Sequence, residues 1–560
     1  MPFRGGFLYR AMIWFRKIFQ ALTQKEKVLL VPVVLVAIFS GIVLLGLIFA
    51  TSTTPVPASG GDYTEGFIGQ PVYINPITAS SDIDKSLVRL VFQNLGDITD
   101  TIATSSDGRI WKVRLKENLH WQDNAKLTSD DVIFTVQRIQ DQESQSPLPL
   151  YKAWQGATAK RLSELEIQFS IINSYAFFPE TLENLYILPK HIFAEVPPAN
   201  WHLSDYNLKP IGSGPFKFEG YEKRLDGFIT TYKLSPWDKY AGDTALIGNF
   251  SLMFFSHRSD LLDAFNSGKI DGFAGLEPGE TVRIKRPHET INYTIPNYYA
   301  VFFNQNKNIP LKDLEVRKAL SIVLDRDAII RTALEDFGAK AFGPIPEGTP
   351  YFSKDNVSTS TENMSDLLDA AGWKIADSDF REKTVKNTKI PLELTLTVPD
   401  IEFLATTANL LKAAWEKIGV KVNLAIGSID SIMNDTIKNR DYEALLFGNM
   451  LSKSYDLFSF WHSSQRFSPE QNLSFYNNKK ADSLIESIRQ GTDKERQESE
   501  FHELQKTITQ DYPAVFLYSP YYVYVSAKNI HGADARLITE RADRFIGANY
   551  WYTKTARVLK

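Results

Sequence analysis

Cysteine is absent from the 560-residue chain. Disulfides, thiolate metal sites and cysteine nucleophiles are excluded together. So is a lipid-modified cysteine, which leaves any membrane anchor to be built from the polypeptide itself. Histidine is scarce: the eight present are scattered, with no HExxH and no pair at i, i+4, so no metal site is assembled locally. Neither GxxxxGK[ST] nor GxGxxG occurs, and Gly212-Ser213-Gly214 is not the five-residue nucleophile elbow of hydrolases. Asp/Glu pairs occur in any chain of this size and single out no acid–base couple. The expectation is therefore no catalytic residue, no metal, no cofactor and no enzyme. Net charge is only −4, which offers no electrostatic case for nucleic acid.

That small total hides a polarity. Of 62 basic and 66 acidic side chains, residues 1–60 hold six basic ones (Arg4, Arg10, Arg16, Lys17, Lys25, Lys27) against Glu26. The remainder has 56 basic and 65 acidic groups, a formal −9. Between the two lies Val28–Ala50, 23 residues without a charge, enough to cross a hydrocarbon core of about 30 Å. A cleaved signal peptide has an apolar region of only about 7–15 residues, so a retained transmembrane helix is expected. The basic residues before it place residues 1–27 inside and the body outside the membrane. Residues 3–20 read equally as an interfacial helix or as a basic tail. TSTTPVPASGGD (51–62) reads as a polar, Pro/Gly-rich linker.

The body mixes short strands and helices, the pattern of an α/β fold. WKVRLK (111–116) alternates as a half-buried strand does. LTSDDVIFTVQRI (127–139) opens a helix that Thr128 caps and Asp130 and Asp131 favour at its positive end. FLATTANLLKAAWEKIG (403–419) repeats Leu404, Leu411, Trp415 and Ile418 at helical spacing, stops at Gly419, and leads into a strand at 420–426. Residues 306–309 and 377–387 read as loops. Aromatic groups stand outside helical stripes: Tyr298-Tyr299, Phe458–Trp461 with His462, Tyr518–Tyr524 and Tyr550–Tyr552. Flat rings with a polar edge suit a wet cleft, and for any one of them a place in a core is the commoner use.

A series of segments then resembles, in order, the peptide- and nickel-type extracellular solute-binding proteins (family 5) of ABC importers. It runs from YTEGFIGQPVYINP (63–76) and WKVRLKENLHWQDNAKLTSDDVIFTVQRI (111–139) through ILPKHIF (187–193), IGSGPFKF (211–218) and SGKIDGF (267–273). NYYAVFFNQNKNIPLKDLEVRKALSIVLDRDAII (297–330) carries the most weight. AAGW (370–373), AAWEKIGVKV (413–422), YDLFSFWHSSQ (455–465) and NLSFYNNKKADSLI (472–485) complete it. The resemblance implies a two-lobed periplasmic-binding-protein-like fold with an extra subdomain in its first lobe. Lobe I is then 63–300, with the subdomain at about 80–195, lobe II is 301–516, and 517–560 return to lobe I. Two strands cross near Tyr299–Asn304 and Val515–Tyr521. The implied function is capture of peptides between the lobes by hinge closure, with ABC permease subunits as partners and the receptor a monomer. A surface sensor or chaperone, or a receptor for a non-peptide solute, are alternatives on the same fold.

The resemblance also implies ligand-binding residues: Glu65, Gly66 and Phe67 in the opening strand, Tyr299 and Asn304 in the crossing strand, and Gly448, Asn449, Met450 and Trp461. Two departures bear on the ligand. Family members that take free peptides place an Asp shortly before the "D-x-F" element, here Asp456-Leu457-Phe458, yet residues 448–451 hold no acid. Dipeptide-selective members carry an Arg where Thr397-Val398-Pro399-Asp400 stands here. A longer peptide read through its backbone, or another solute, fits better than a dipeptide. Glu65 reads either as a cation partner or as a solvated strand residue, and Asp456 as a turn or cap residue before a ligand contact.

Overall fold

The computed structural model describes residues 17, 20, 21, 23–353, 363–376, 379–451, 453–534 and 537–560. Trp14, Phe15, Phe19 and the cations Arg4, Arg10 and Arg16 lie outside the described residues. Two compact units are present, one of residues 1–58 with 554–560 and one of 59–553.

The first unit is a 29-residue helix, Gln24–Ser52, none of whose residues is buried. It is the one described helix long and apolar enough to cross a membrane. The backbone N–H of Thr23 donates to Glu26 at 2.8 Å and holds its start. The stretch read as a linker is not all irregular. Thr53–Ala58 is a strand, paired antiparallel with Lys554–Leu559 from Thr53↔Leu559 to Ala58↔Lys554.

The second unit holds the two lobes. Lobe I is built on a seven-stranded sheet in the order His288–Tyr293, Tyr522–Ala527, Gly272–Ala274, Asp62–Ile68, Asn249–Phe255, Ile229–Pro236 and Phe216–Lys223. Its core joins Tyr63, Phe250, Phe545 and Trp551 to the subdomain. That subdomain carries its own sheet of Thr99–Thr104, Ile110–Leu115, Glu166–Ser170 and Thr158–Arg161. The expected helix there spans Ser129–Gln140, with the Thr128 hydroxyl accepting from the Asp130 N–H at 3.3 Å.

Lobe II has a six-stranded sheet in the order Gly338–Lys340, Ala514–Pro520, Asn297–Phe303, Ala444–Met450, Glu393–Pro399 and Lys421–Gly427. Helix Glu402–Glu416 buries Leu404, Leu411 and Trp415 against one face. Gly419, at φ +82°, turns the chain into the parallel strand Lys421–Gly427, a conformation glycine takes at no steric cost.

Residues 377–387 are not all loop. Arg381–Val385 and Thr388–Pro391 form a hairpin, joined by Lys386 and Asn387 at φ +48° and +65°, the signs a two-residue type I′ turn requires. Lysine hides that turn from sequence reading. The buried Arg381, which donates to the Ile418 and Trp373 carbonyls at 2.7 and 2.6 Å, ties the hairpin down.

Candidate functional site

Three strands of the lobe II sheet, Glu393–Pro399, Lys421–Gly427 and Ala444–Met450, run parallel. In lobe I, Asp62–Ile68, Gly272–Ala274 and Asn249–Phe255 run parallel as well. Ligands of open α/β sheets collect beyond the carboxyl ends of such strands. Register puts those ends of both sheets beside the same two chain crossings. In lobe II, Met450 pairs with Asn297. In lobe I, Tyr293 pairs with Tyr522. The chain passes between the sheets at residues 294–296, just before the expected first crossing strand, and again at 521, the last residue of the expected second one. Ser519 Oγ donates to Asn297 Oδ1 at 2.9 Å and ties the two passages together.

The lobe II wall is made by alternation along Asn297–Phe303. Tyr298 turns into one core, where its hydroxyl accepts from Asn449 Nδ2 at 2.9 Å and Trp461 Nε1 at 3.1 Å. Tyr299 turns to the other face, edge-on to Phe403 with centroids 5.3 Å apart, and covers Gly448. A Cβ on Gly448 would lie 2.9 Å from the Tyr299 ring, closer than side-chain carbons sit. Gly448→Ala is therefore expected to displace that ring. If the ring walls the ligand, titration calorimetry should read about a tenfold loss of affinity.

On the lobe I side the opening strand alternates too. Tyr63, Glu65 and Phe67 share a face with Phe545 and Arg544, while Gly66 packs on Ile270. Glu65 is fully buried and its carboxylate is occupied. Arg544 Nη2 and Nε donate to it at 3.1 and 3.3 Å, Tyr524 Oη donates at 3.3 Å, and the Tyr63 hydroxyl donates as well. Burial pushes the Glu65 carboxyl up, and Arg544 and the phenols pull it back. Glu65 is thus neither a solvated strand residue nor a carboxylate open to a ligand's cation.

Other expected site residues fall in two classes. Tyr299, Gly448 and the half-exposed Met450 lie at the crossings. Asn304 and Asn449 are buried with protein partners, Asn304 Nδ2 donating to the Arg440 carbonyl at 3.2 Å. Trp461, expected in the cleft wall, is 1 % exposed and packs on Phe302, Tyr476 and Phe516. Its place in a short helix after Asp456-Leu457 turns the ring into the core, where the Tyr298 hydroxyl meets its N–H.

The structure adds residues that sequence reasoning did not name. Arg544 lies 4.9 Å over the Phe67 ring, and Arg541 lies 5.5 Å over the Tyr522 ring while pairing with Asp82 at 3.1 Å. Arg541 also reaches across electrically: burial raises the Tyr299 phenol's pKa, and the Arg541 charge opposes the rise. These arginines come from residues 541–545, a single turn with no periodic signal.

A second junction joins the subdomain to lobe II. Tyr175 Oη and Arg489 Nε donate to Asp456 Oδ2 at 3.1 and 3.0 Å, and the Ala176 N–H donates to the Arg489 carbonyl at 2.7 Å. Asp456 also accepts from the Phe458 N–H at 3.0 Å, the turn role expected of it. Phe177 packs with Phe501, centroids 6.4 Å apart. Beside them burial pushes the Glu180 carboxyl up to about 7, with Lys453 opposing and Glu183 adding repulsion. A carboxyl raised by a contact favours that contact when protonated. The stabilisation is complete below the ordinary value of 4.5 and lost as pH rises through about 7. Amide exchange at 174–184, corrected for intrinsic rate, is expected to be faster at pH 8 than at pH 5.5. The difference should vanish in Glu180→Gln.

Comparison with known proteins agrees with this architecture. The family model of bacterial extracellular solute-binding proteins, family 5, matches residues 95–471. The chain belongs to that family. The oligopeptide-binding protein AppA of Bacillus subtilis is 25% identical over 504 residues, 85% of this chain and 89% of that protein. Its structure in complex with a nonapeptide superposes with a TM-score of 0.64 at 24% identity, covering 89% of this chain and 99% of that one. The substrate-binding protein CtaP of Listeria monocytogenes gives 0.74 at 24% identity, over 89% and 100%. NikZ of Campylobacter jejuni, in complex with Ni(L-His), gives 0.67 at 21%, over 88% and 99%. The family consists of extracytoplasmic solute-binding proteins that serve ABC transporters, and its members take peptides or nickel.

Proposed function

We propose that the chain is the membrane-anchored receptor of an ABC importer, capturing peptides in the crevice between its lobes and presenting the closed form to the permease subunits. One observation carries the reading: the carboxyl ends of both sheets' parallel strands lie beside the same two chain crossings. Tyr299 lies over Gly448 on one side, and Tyr522 lies under Arg541 on the other. Flat aromatic walls and strand-end backbone suit an extended peptide read through its main chain, each bond adding a net ~0.5–1.5 kcal/mol. Arg541 stands where a ligand carboxylate would find a guanidinium, although no base occupies residues 397–400. In this reading Tyr299, Gly448 and Met450 line the site, while Glu65, Gly66, Phe67, Asn304, Asn449 and Trp461 support it from within. The oligopeptide named in AppA supports the ligand class. The apolar Gln24–Ser52 helix supports the anchor, with the body outside.

Calorimetric titration with peptides of graded length, against Ni(L-His), tests the proposal. Saturable peptide binding that weakens by about 1–3 kcal/mol in Tyr299→Ala is expected. Binding of Ni(L-His) but of no peptide would overturn the ligand class.

A further inference from the structure

The strand Lys554–Leu559 does not continue lobe I; it pairs residue for residue with the strand that leaves the apolar helix. The junction is bonded to the helix end itself. The Lys560 N–H donates to the Ser52 carbonyl at 2.9 Å. Arg557 Nη1 donates to Thr53 Oγ1 at 2.9 Å and to the Ala50 carbonyl at 3.5 Å, and its guanidinium lies 5.7 Å over the Phe49 ring. Arg557 thus sits at the level of the last apolar turn, beside helix carbonyls whose partial negative charge favours a cation.

Residues 50–58 and 554–560 contain Lys554, Arg557 and Lys560 and no acidic side chain. Thr54, Val56 and Ala58 share a face with Val558, Ala556 and Lys554. An isolated two-stranded ribbon is marginally stable in water at best, and this one exposes Val558 by 45% and Leu559 by 81%. Registration places Arg557 and Lys560 at the ribbon's base. Lys554 lies three residues beyond Arg557, about 10 Å at strand rise.

We propose that the ribbon base is a lipid-binding collar: Arg557 and Lys560 take the phosphates of anionic lipids at the outer surface of the bilayer, and the exposed Leu559 and Val558 settle among the upper acyl chains. The proposal rests on the reading of Gln24–Ser52 as a retained span. If that span holds Phe49 and Ala50 at the outer edge of the hydrocarbon, Arg557 lies in the headgroup layer whatever the tilt of the ribbon, as interfacial arginines do. Charge complementarity chooses phosphate over a neutral headgroup.

The test uses the full chain in nanodiscs of phosphatidylglycerol or of phosphatidylcholine, with amide hydrogen exchange read at 53–58 and 554–560. Exchange about tenfold slower in phosphatidylglycerol is expected, and the difference should disappear in the double variant Arg557→Glu, Lys560→Glu while exchange in the body stays unchanged. Equal exchange of the native chain in the two lipids would overturn the proposal. Protection that appears in both lipids only when permease subunits are present would also overturn it, and would assign the collar to a protein partner. Failure of the anchor reading shows separately: the intact mass would lack residues 28–50, or the chain would not enter nanodiscs at all.

Discussion

Arg544→Ala is expected to lower folding stability by about 3–5 kcal/mol in urea denaturation. The guanidinium side chain is 1% exposed and the Glu65 carboxylate 0%, with 3.1 Å between them. Removing the cation leaves a carboxylate in a site closed to water, held only by the Tyr63 and Tyr524 hydroxyls. The group would then escape its cost by protonation. A carboxyl whose folded pKa is raised contributes stability below its unfolded pKa and loses it as pH climbs through the folded value. The deficit of Arg544→Ala should therefore be smaller at pH 5 than at pH 8. The double variant Glu65→Leu, Arg544→Met should recover most of the loss, because a buried ion pair replaced whole by apolar groups is often neutral. A single variant within about 1 kcal/mol of the native chain would show that the pair contributes little.

Trp461→Ala is expected to cost a similar ~3–5 kcal/mol through the cavity it leaves. The ring touches Phe302, Tyr476 and Phe516, and its N–H donates to Tyr298 Oη, which also accepts from Asn449. Peptide affinity of the molecules that remain folded should be unchanged. Trp461→Phe should restore much of the packing and forgo only the hydrogen bond, about 1 kcal/mol. A stable Trp461→Ala chain that binds peptide much more weakly would return this tryptophan to the cleft wall and contradict its place in the core.

What the sequence could and could not disclose follows from the range of the forces involved. Elements set by local patterns were legible: the Thr128 cap and the Leu404–Leu411–Trp415 stripe with its Gly419 stop are present as expected, and the uncharged Val28–Ala50 run is helical. The hairpin at 381–391 was missed because its turn is Lys-Asn and its anchor, Arg381, is held by residues far along the chain. Site residues were hardest. Glycines and aromatics mark close approach but not direction, and the two-residue alternation of Asn297–Phe303 sends Tyr298 inward and Tyr299 toward the crossing. Glu65 is silenced by Arg544, 479 residues later. The pairing of 53–58 with 554–559 joins the same distant ends of the chain, and no local pattern announces it.

The proposed function requires that the space between the lobes hold peptide. The most direct measurement is mass spectrometry of the small molecules released when the full chain, purified without added ligand, is denatured. Peptides of several residues with varied sequences, near one per chain and much reduced in Tyr299→Ala, are the predicted result. Release of nickel complexes or another non-peptide solute at that ratio, with no peptide, would contradict it.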